Sequence, residues 1–195
     1  MSNDDPTDDA QLVQAALAGD RDAFGELVER YQDRLFNTLV RMLGSRDDAN
    51  DVVQEAFVQA FVKLETFRGD ARFYTWLYRI AMNMALSHRR RQRPTVSVEA
   101  VKDCVGDEPV DHDPGPDVQM IGTERVAAVQ SALAKLGDQH RQILVLREME
   151  GCSYETIAEI LQMPIGTVRS RLFRARLLLK DELKSILPDE VDQTK

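Results

Sequence analysis

Cysteine is scarce in this sequence. Cys104 and Cys152 are the two examples, and they lie too far apart for the paired CxxC or Cys/His spacing of a zinc site. Both read as reduced thiols. The three histidines, His88, His112 and His140, fall in a basic run, a Pro/Asp-rich stretch and the start of a later helix, so they share no ligand spacing. A metal-dependent helical enzyme built on them and Glu55 therefore has little to stand on, and no catalytic residue, metal or cofactor is expected. No run of about eighteen apolar residues occurs, and the opening MSNDDPTDD is acidic where a secretory signal is basic and then apolar. The expectation is a cytoplasmic chain with no direct membrane insertion and no small-molecule substrate. Glycine and proline number only 10 and 7 in 195 residues, and runs of Val, Ile and Thr are missing. What remains is an all-α fold.

The net charge of −8 argues at first against a nucleic-acid partner. The average hides segregation. LSHRRRQR, from Leu86 to Arg93, has four arginines and no acid, and Ile165 to Lys180 has four arginines and a lysine, again with no acid. Between them, Thr95 to Glu124 sets eight acidic residues against the single Lys102. Two positive stripes are thus separated by a negative tether.

Apolar spacing places a short helix from Asp8, then a long one through Leu27, Tyr31, Leu35, Leu39 and Met42 that ends at Gly44. A third starts at Asp47 or Asp48 and repeats at Val53, Phe57, Ala60, Phe61 and Leu64; its opposite face carries Asp51, Gln54, Glu55 and Val58. A fourth spans about Arg72 to Arg90 and is stopped by Pro94. The stretch after Pro94 has the composition of a flexible linker. The expected organisation is two small helical domains, 1–93 and 125–195, joined by a flexible acidic linker over 94–124. The second domain has helical spacing at Val126 to Leu136 and Ile143 to Met149, then two closing helices, Ser153 to Leu161 and Pro164 to about Leu187.

Those closing helices have the outline of a helix-turn-helix, whose second helix enters the major groove of DNA. At 100° per residue, Val168, Leu172, Ala175 and Leu179 share one side and face Ile157, Leu161 and Leu144. Arg169, Ser170, Phe173 and Arg174 then point away, flanked by Arg171 and Arg176. Arginine binds guanine with two parallel hydrogen bonds, serine reaches either kind of base edge, and a phenylalanine has a partner in a thymine methyl. On spacing alone, RSRLFRAR is either such a reading helix or a solvated basic helix with one stray aromatic.

In the fourth helix, FYTWLYRIAMNMALSHRR, the expected apolar side is Phe73, Leu77, Ile80 and Met84, with Trp76 at its edge beside Arg79, Asn83 and Ser87, and Tyr74 and Tyr78 on the other flank. Rings beside arginine and asparagine suit unstacked bases, at about 1–3 kcal/mol per base; the other reading is that these rings are core. The loop before it, TFRGDAR, has room for an extruded base because Gly69 permits close backbone approach. The Asp51-Gln54-Glu55-Val58 face is either a docking surface or solvated surface, since acids early in a helix already favour its dipole.

Taken together, DVVQEAF, FRG…FYTWLYRIA and PIGTVRSRLFRAR, in this order and separation, resemble the two conserved domains of a bacterial sigma factor of the extracytoplasmic function (ECF) group of the sigma-70 family. The resemblance covers nearly the whole chain apart from termini and linker. It implies a non-enzymatic factor that binds core RNA polymerase and promoter DNA and directs initiation in a stress or envelope response. Residues 1–93 would be region two. The third helix would dock on polymerase through Asp51, Gln54, Glu55 and Val58, with Phe57 and Phe61 supporting. Phe67, Arg68, Gly69 and Asp70 would surround a flipped base of the minus-ten element, and Tyr74, Trp76, Arg79 and Asn83 would hold the non-template strand. Residues 125–195 would be region four, reading the minus-thirty-five element through Arg169, Ser170, Phe173 and Arg174; the flanking Arg171 and Arg176 are the candidates for phosphate contacts from their place on the helix. The short N-terminus and lack of an added C-terminal domain suggest the minimal form of the family, whose control falls to a separate anti-sigma protein or to expression. A stand-alone helix-turn-helix regulator is the rival reading; it leaves the aromatic and arginine-rich fourth helix unexplained.

Overall fold

The computed structural model describes residues 6–92 and 116–186, and every regular element among them is helical. In chain order these are α1 (Pro6–Leu17), α2 (Arg21–Leu43), α3 (Arg46–Val62), a 3-10 turn (Leu64–Thr66), α4 (Phe73–Gln92), α5 (Pro116–Lys135), α6 (Asp138–Leu144) running into a π-helical turn (Val145–Met149), α7 (Tyr154–Leu161) and α8 (Ile165–Ile186). The expected linker falls largely on residues 93–115, outside the described residues, while α5 begins at Pro116, inside the stretch expected as linker.

Local chemistry sets the helix ends. Asp20 caps α2 by accepting from the Asp22 amide at 3.0 Å, and Gly44, at φ +80°, ends it by donating to the Val40 carbonyl at 2.8 Å. Ser45 caps α3 through the Asp48 amide at 3.2 Å, and Ser153 caps α7 through the Thr156 amide at 3.1 Å. Pro164 lies just ahead of α8 rather than in its first turn, and its carbonyl accepts from Thr167 and Val168.

The first four helices pack around Leu27, Tyr31, Leu35, Leu39 and Met42 of α2, all essentially buried. α1 is held on this group by Asp9, whose buried carboxylate accepts from the Tyr31 hydroxyl and from Arg30 at 2.7 Å. Two expected registers are corrected. In α3, Phe57 is in the core at 6% exposure, whereas Phe61 is 49% exposed and sets its ring edge-on to Phe24 at 5.0 Å. In α4 the buried positions are Phe73, Trp76, Leu77, Tyr78, Met82 and the small residues between them, while Ile80 and Met84 are half-buried. The cause is tertiary: α4 touches α2 and α3 on one side and α7 on another, so it is covered over a wider arc than a surface helix.

The two halves therefore meet, and one apolar cluster runs through both. Arg141 ties them at one end. Its buried guanidinium donates to the Leu133 and Leu136 carbonyls at the end of α5, at 2.6 and 3.2 Å, and to the Met42 carbonyl at the end of α2, at 3.0 Å. A cation set among the last carbonyls of α5 and α2 complements the negative ends of both helix dipoles.

Candidate nucleic-acid interface

α7 and α8 are joined by a turn in which Gln162 takes a left-handed conformation, φ +51°. Val168, Leu172 and Ala175 of α8 are buried, and so are Ile157 and Ile160 of α7. With that side fixed, Arg169, Ser170, Phe173 and Arg174 emerge on the opposite side, all exposed, and Phe173 is 65% exposed. An aromatic ring so placed among arginines loses apolar contact unless something covers it. Ser170 donates to the Thr167 carbonyl at 3.1 Å and keeps its acceptor capacity outward. Arg171 is half-buried beside the Met163 sulfur. Arg176 donates twice to one Glu148 oxygen, at 2.9 and 2.6 Å, and that bonding raises its pKa above the ordinary guanidinium value. Tyr154 adds an aromatic platform, with the Arg147 guanidinium 4.9 Å and the Arg169 guanidinium 6.0 Å from its ring centre.

The loop before α4 is held by Phe67, half-buried, whose ring lies 5.9 Å from Phe73 and 5.3 Å from Trp76. From this anchor Arg68, Gly69 and Asp70 stand exposed, with Gly69 at φ +76°, a conformation that side chains resist. Along α4 the expected stripe divides. Asn83 is exposed and Arg79 half-buried, and both line a groove of about 390 Å³ with Glu55, Gln59 and Lys63 of α3 and its neighbouring turn. Trp76 is 6% exposed, so only its groove edge is reachable, and of the two readings left open for this ring the core one describes its burial. Tyr74 is likewise covered: its ring is 4.1 Å from that of Tyr78, the Arg34 guanidinium lies 4.7 Å from its centre, and its hydroxyl meets the Cys152 sulfur at 3.3 Å. Burial holds both tyrosine hydroxyls, and the Cys152 thiol, above their ordinary pKa ranges.

On α3, Asp51, Gln54 and Glu55 are exposed, with Val58 at 60%, Phe61 at 49% and Val62 at 68% beside them. Contiguous exposed apolar side chains rimmed by acids are a usual mark of a protein contact. Val62 belongs to this face although the helical reading missed it. Phe57, expected to support it, does so only from the core.

The interdomain seam went unread in the sequence. Glu150, directly after the π-helical turn, has a side chain 4% exposed and sits on α2 and α4. Its carboxylate accepts from Arg34 at 2.9 Å, Thr38 at 2.6 Å and Tyr78 at 3.4 Å, and Arg41 lies 3.9 Å away. Burial works against the Arg34 charge, yet the bond to Glu150 more than compensates, and its pKa rises above the ordinary guanidinium value. Arg89 and Asp138 pair at 3.0 Å, and Gln142 reaches the Met82 carbonyl at 3.4 Å, in the same seam. The one available signal was the row Arg34, Thr38, Arg41, which repeats at helical spacing on α2.

A helical chain with an outward basic recognition helix, a second arginine and aromatic helix and an exposed acidic-apolar face has the parts of a promoter-recognition protein. Residues 27–95 match the family profile of Sigma-70 region 2, and residues 127–179 that of Sigma-70 region 4. The RNA polymerase sigma-H factor of Pseudomonas aeruginosa is 42% identical over 184 residues, covering 92% of this chain and 95% of that protein. The ECF RNA polymerase sigma-E factor of Escherichia coli K12 is 38% identical, covering 92% and 96%. Among solved structures, CnrH in complex with the cytosolic domain of CnrY matches with a TM-score of 0.67 and 28% identity over 94% of this chain and 99% of that one. RpoE of Bartonella quintana, in complex with the anti-sigma factor NepR, shares the fold, with a TM-score of 0.65 at 24% identity over 86% and 98%. The chain belongs to the ECF group of the sigma-70 family. It is a transcription initiation factor and not an enzyme, and no helix among the described residues is long and apolar enough to cross a membrane.

Proposed function

We propose that this factor docks on core RNA polymerase through Asp51, Gln54, Glu55, Val58 and Phe61, joined by Val62, and reads a promoter at two places. α8 enters the major groove of the minus-thirty-five element. There Arg169, Arg174 and Ser170 read base edges, Phe173 covers a methyl or sugar, and Arg171 and Arg176 hold phosphates. The loop Phe67, Arg68, Gly69 and Asp70 receives a flipped base of the minus-ten element, and Arg79, Asn83, the rim of Trp76 and, once uncovered, Tyr74 hold the non-template strand. The observation that carries this reading is the exposed Phe173 between Arg169 and Arg174, on the side of α8 opposite its buried seam. A solvated helix gains nothing from that ring, whereas a groove-bound helix does.

The work is done in the cytoplasm, where polymerase and promoters are, in a stress or envelope response. Control by a separate anti-sigma protein is part of the same reading; CnrH, which this chain resembles, was solved in complex with the cytosolic domain of CnrY. The test is run-off transcription from a genomic fragment library with core polymerase, with and without this protein. New start sites sharing two upstream elements about two helical turns apart are expected; unchanged start sites with a folded, polymerase-bound factor would refute the proposal.

A further inference from the structure

The groups around Glu150 do more than fill a gap between domains. Its side chain comes from the second family segment, residues 127–179, and every partner it has in α2 and α4 comes from the first, residues 27–95. A carboxylate taken almost wholly out of water is costly unless charge and hydrogen bonds compensate. Here two guanidinium groups and two hydroxyls do so, and Arg34 reinforces the pairing by donating also to the Glu150 carbonyl at 3.3 Å.

What the contact covers gives it a consequence. Glu150 is followed by Gly151, Cys152 and Ser153, which lead into α7, so anchoring the carboxylate lays that segment over the start of α4. The Tyr74 hydroxyl then meets the Cys152 sulfur at 3.3 Å. A cleft of about 560 Å³ remains between the loop residues Asp70 and Arg72 and the α7 residues Thr156 and Glu159. The left-handed Gln162 borders the second groove, the one lined by Arg79 and Asn83. Both approaches to α4 are thus flanked by the second domain, while the outward side of α8 is open.

We infer that Glu150 is an acidic latch: seated among Arg34, Thr38, Arg41 and Tyr78, it holds the two domains closed so that the segment leading into α7 covers the Tyr74 flank of α4 until a partner pulls the domains apart. The seam suits reversible opening, because it joins apolar contact to several charged and polar pairs, as interfaces between moving domains do. A closed fraction lowers apparent affinity in proportion to the open population. The latch itself rests on the seam alone; its effect on DNA rests on the assignment of α4 under Proposed function.

The experiment uses the full chain carrying Cys104→Ser, so that Cys152 is the single thiol. Glu150→Gln keeps the shape and removes the charge; Glu150→Arg reverses it; Arg34→Glu with Glu150→Arg restores an opposite pair. Helical circular dichroism certifies that each is folded. Small-angle X-ray scattering and the rate of Cys152 alkylation report opening, and binding of a single-stranded oligonucleotide with the minus-ten sequence of a mapped promoter reports access to α4. Expected are a larger radius of gyration, alkylation faster by about tenfold and oligonucleotide binding tighter by about tenfold in Glu150→Arg, smaller changes in Glu150→Gln, and recovery in the double swap. Folded Glu150→Arg with unchanged scattering and alkylation overturns the latch. Opening without any gain in oligonucleotide binding upholds the latch and refutes the assignment of α4 to the non-template strand.

Discussion

The two helices assigned to DNA meet solvent differently. α8 buries one seam and leaves Arg169, Ser170, Phe173 and Arg174 outside, whereas α4 is packed on both flanks, with Trp76 and Tyr78 buried and Tyr74 under Arg34 and beside Cys152. The difference suits what each is proposed to read. Duplex is always present and needs only an open, positive helix. Single-stranded bases exist only after melting, and stacking rings left exposed before then would be apolar surface without a partner. The comparison teaches that the same residue types can be kept ready in two ways: exposed where the ligand is ever-present, covered where it forms late.

The largest expected effect comes from the tie that keeps the halves together. Arg141→Ala removes the guanidinium donor from the Met42 and Leu136 carbonyls and one of two donors from Leu133, and stability to urea should fall by about 3 kcal/mol or more. A loss below about 1 kcal/mol would mean that water replaces the guanidinium and that Arg141 joins nothing.

On the open side, Arg174→Ala should weaken holoenzyme binding by about 1–3 kcal/mol, with base preference relaxed at one position of the upstream element. Competition with a panel of single-base promoter variants measures this, and equal loss on every variant would move Arg174 to a phosphate. On the covered side, Gly69→Ala puts a side chain where φ is +76° and should cost about 1–2 kcal/mol in stability or in melting of the minus-ten element. Permanganate reactivity of unpaired thymines reports the second; an unaltered footprint and unfolding midpoint would show that the loop relaxes freely. The smallest effect is Arg176→Ala, which should weaken all sequences alike and reduce the salt slope by about one unit. A sequence-selective loss there would exchange its role with that of Arg174.

These contrasts also explain what was legible in the sequence. The outward side of α8 could be read because one helix and its neighbour decide it: Val168, Leu172 and Ala175 fix the seam and the arginines follow. The start of α7 at Ser153 and the stop of α2 at Gly44 were legible for the same local reason. α4 was misread because its buried arc depends on α7, and no period within FYTWLYRIAMN encodes a helix from the other domain. Phe61 left the apolar side expected of it because only the edge contact with Phe24 covers its ring, while Phe57 stayed in the core. The seat of Glu150 is the clearest case. Its Arg34 partner is 116 positions away, and the π-helical turn that sets its direction leaves no mark in a 3.6-residue pattern. The first turns of α5 were hidden by an acidic, proline-bearing stretch that reads as linker.

The most direct test is to titrate one fluorescent single-stranded oligonucleotide, the non-template minus-ten segment of a mapped promoter, with the free factor and with its polymerase holoenzyme. The holoenzyme should bind it with sequence preference, and the free factor about a hundredfold more weakly and without preference. Equal, sequence-selective binding by the free factor would contradict a covered α4.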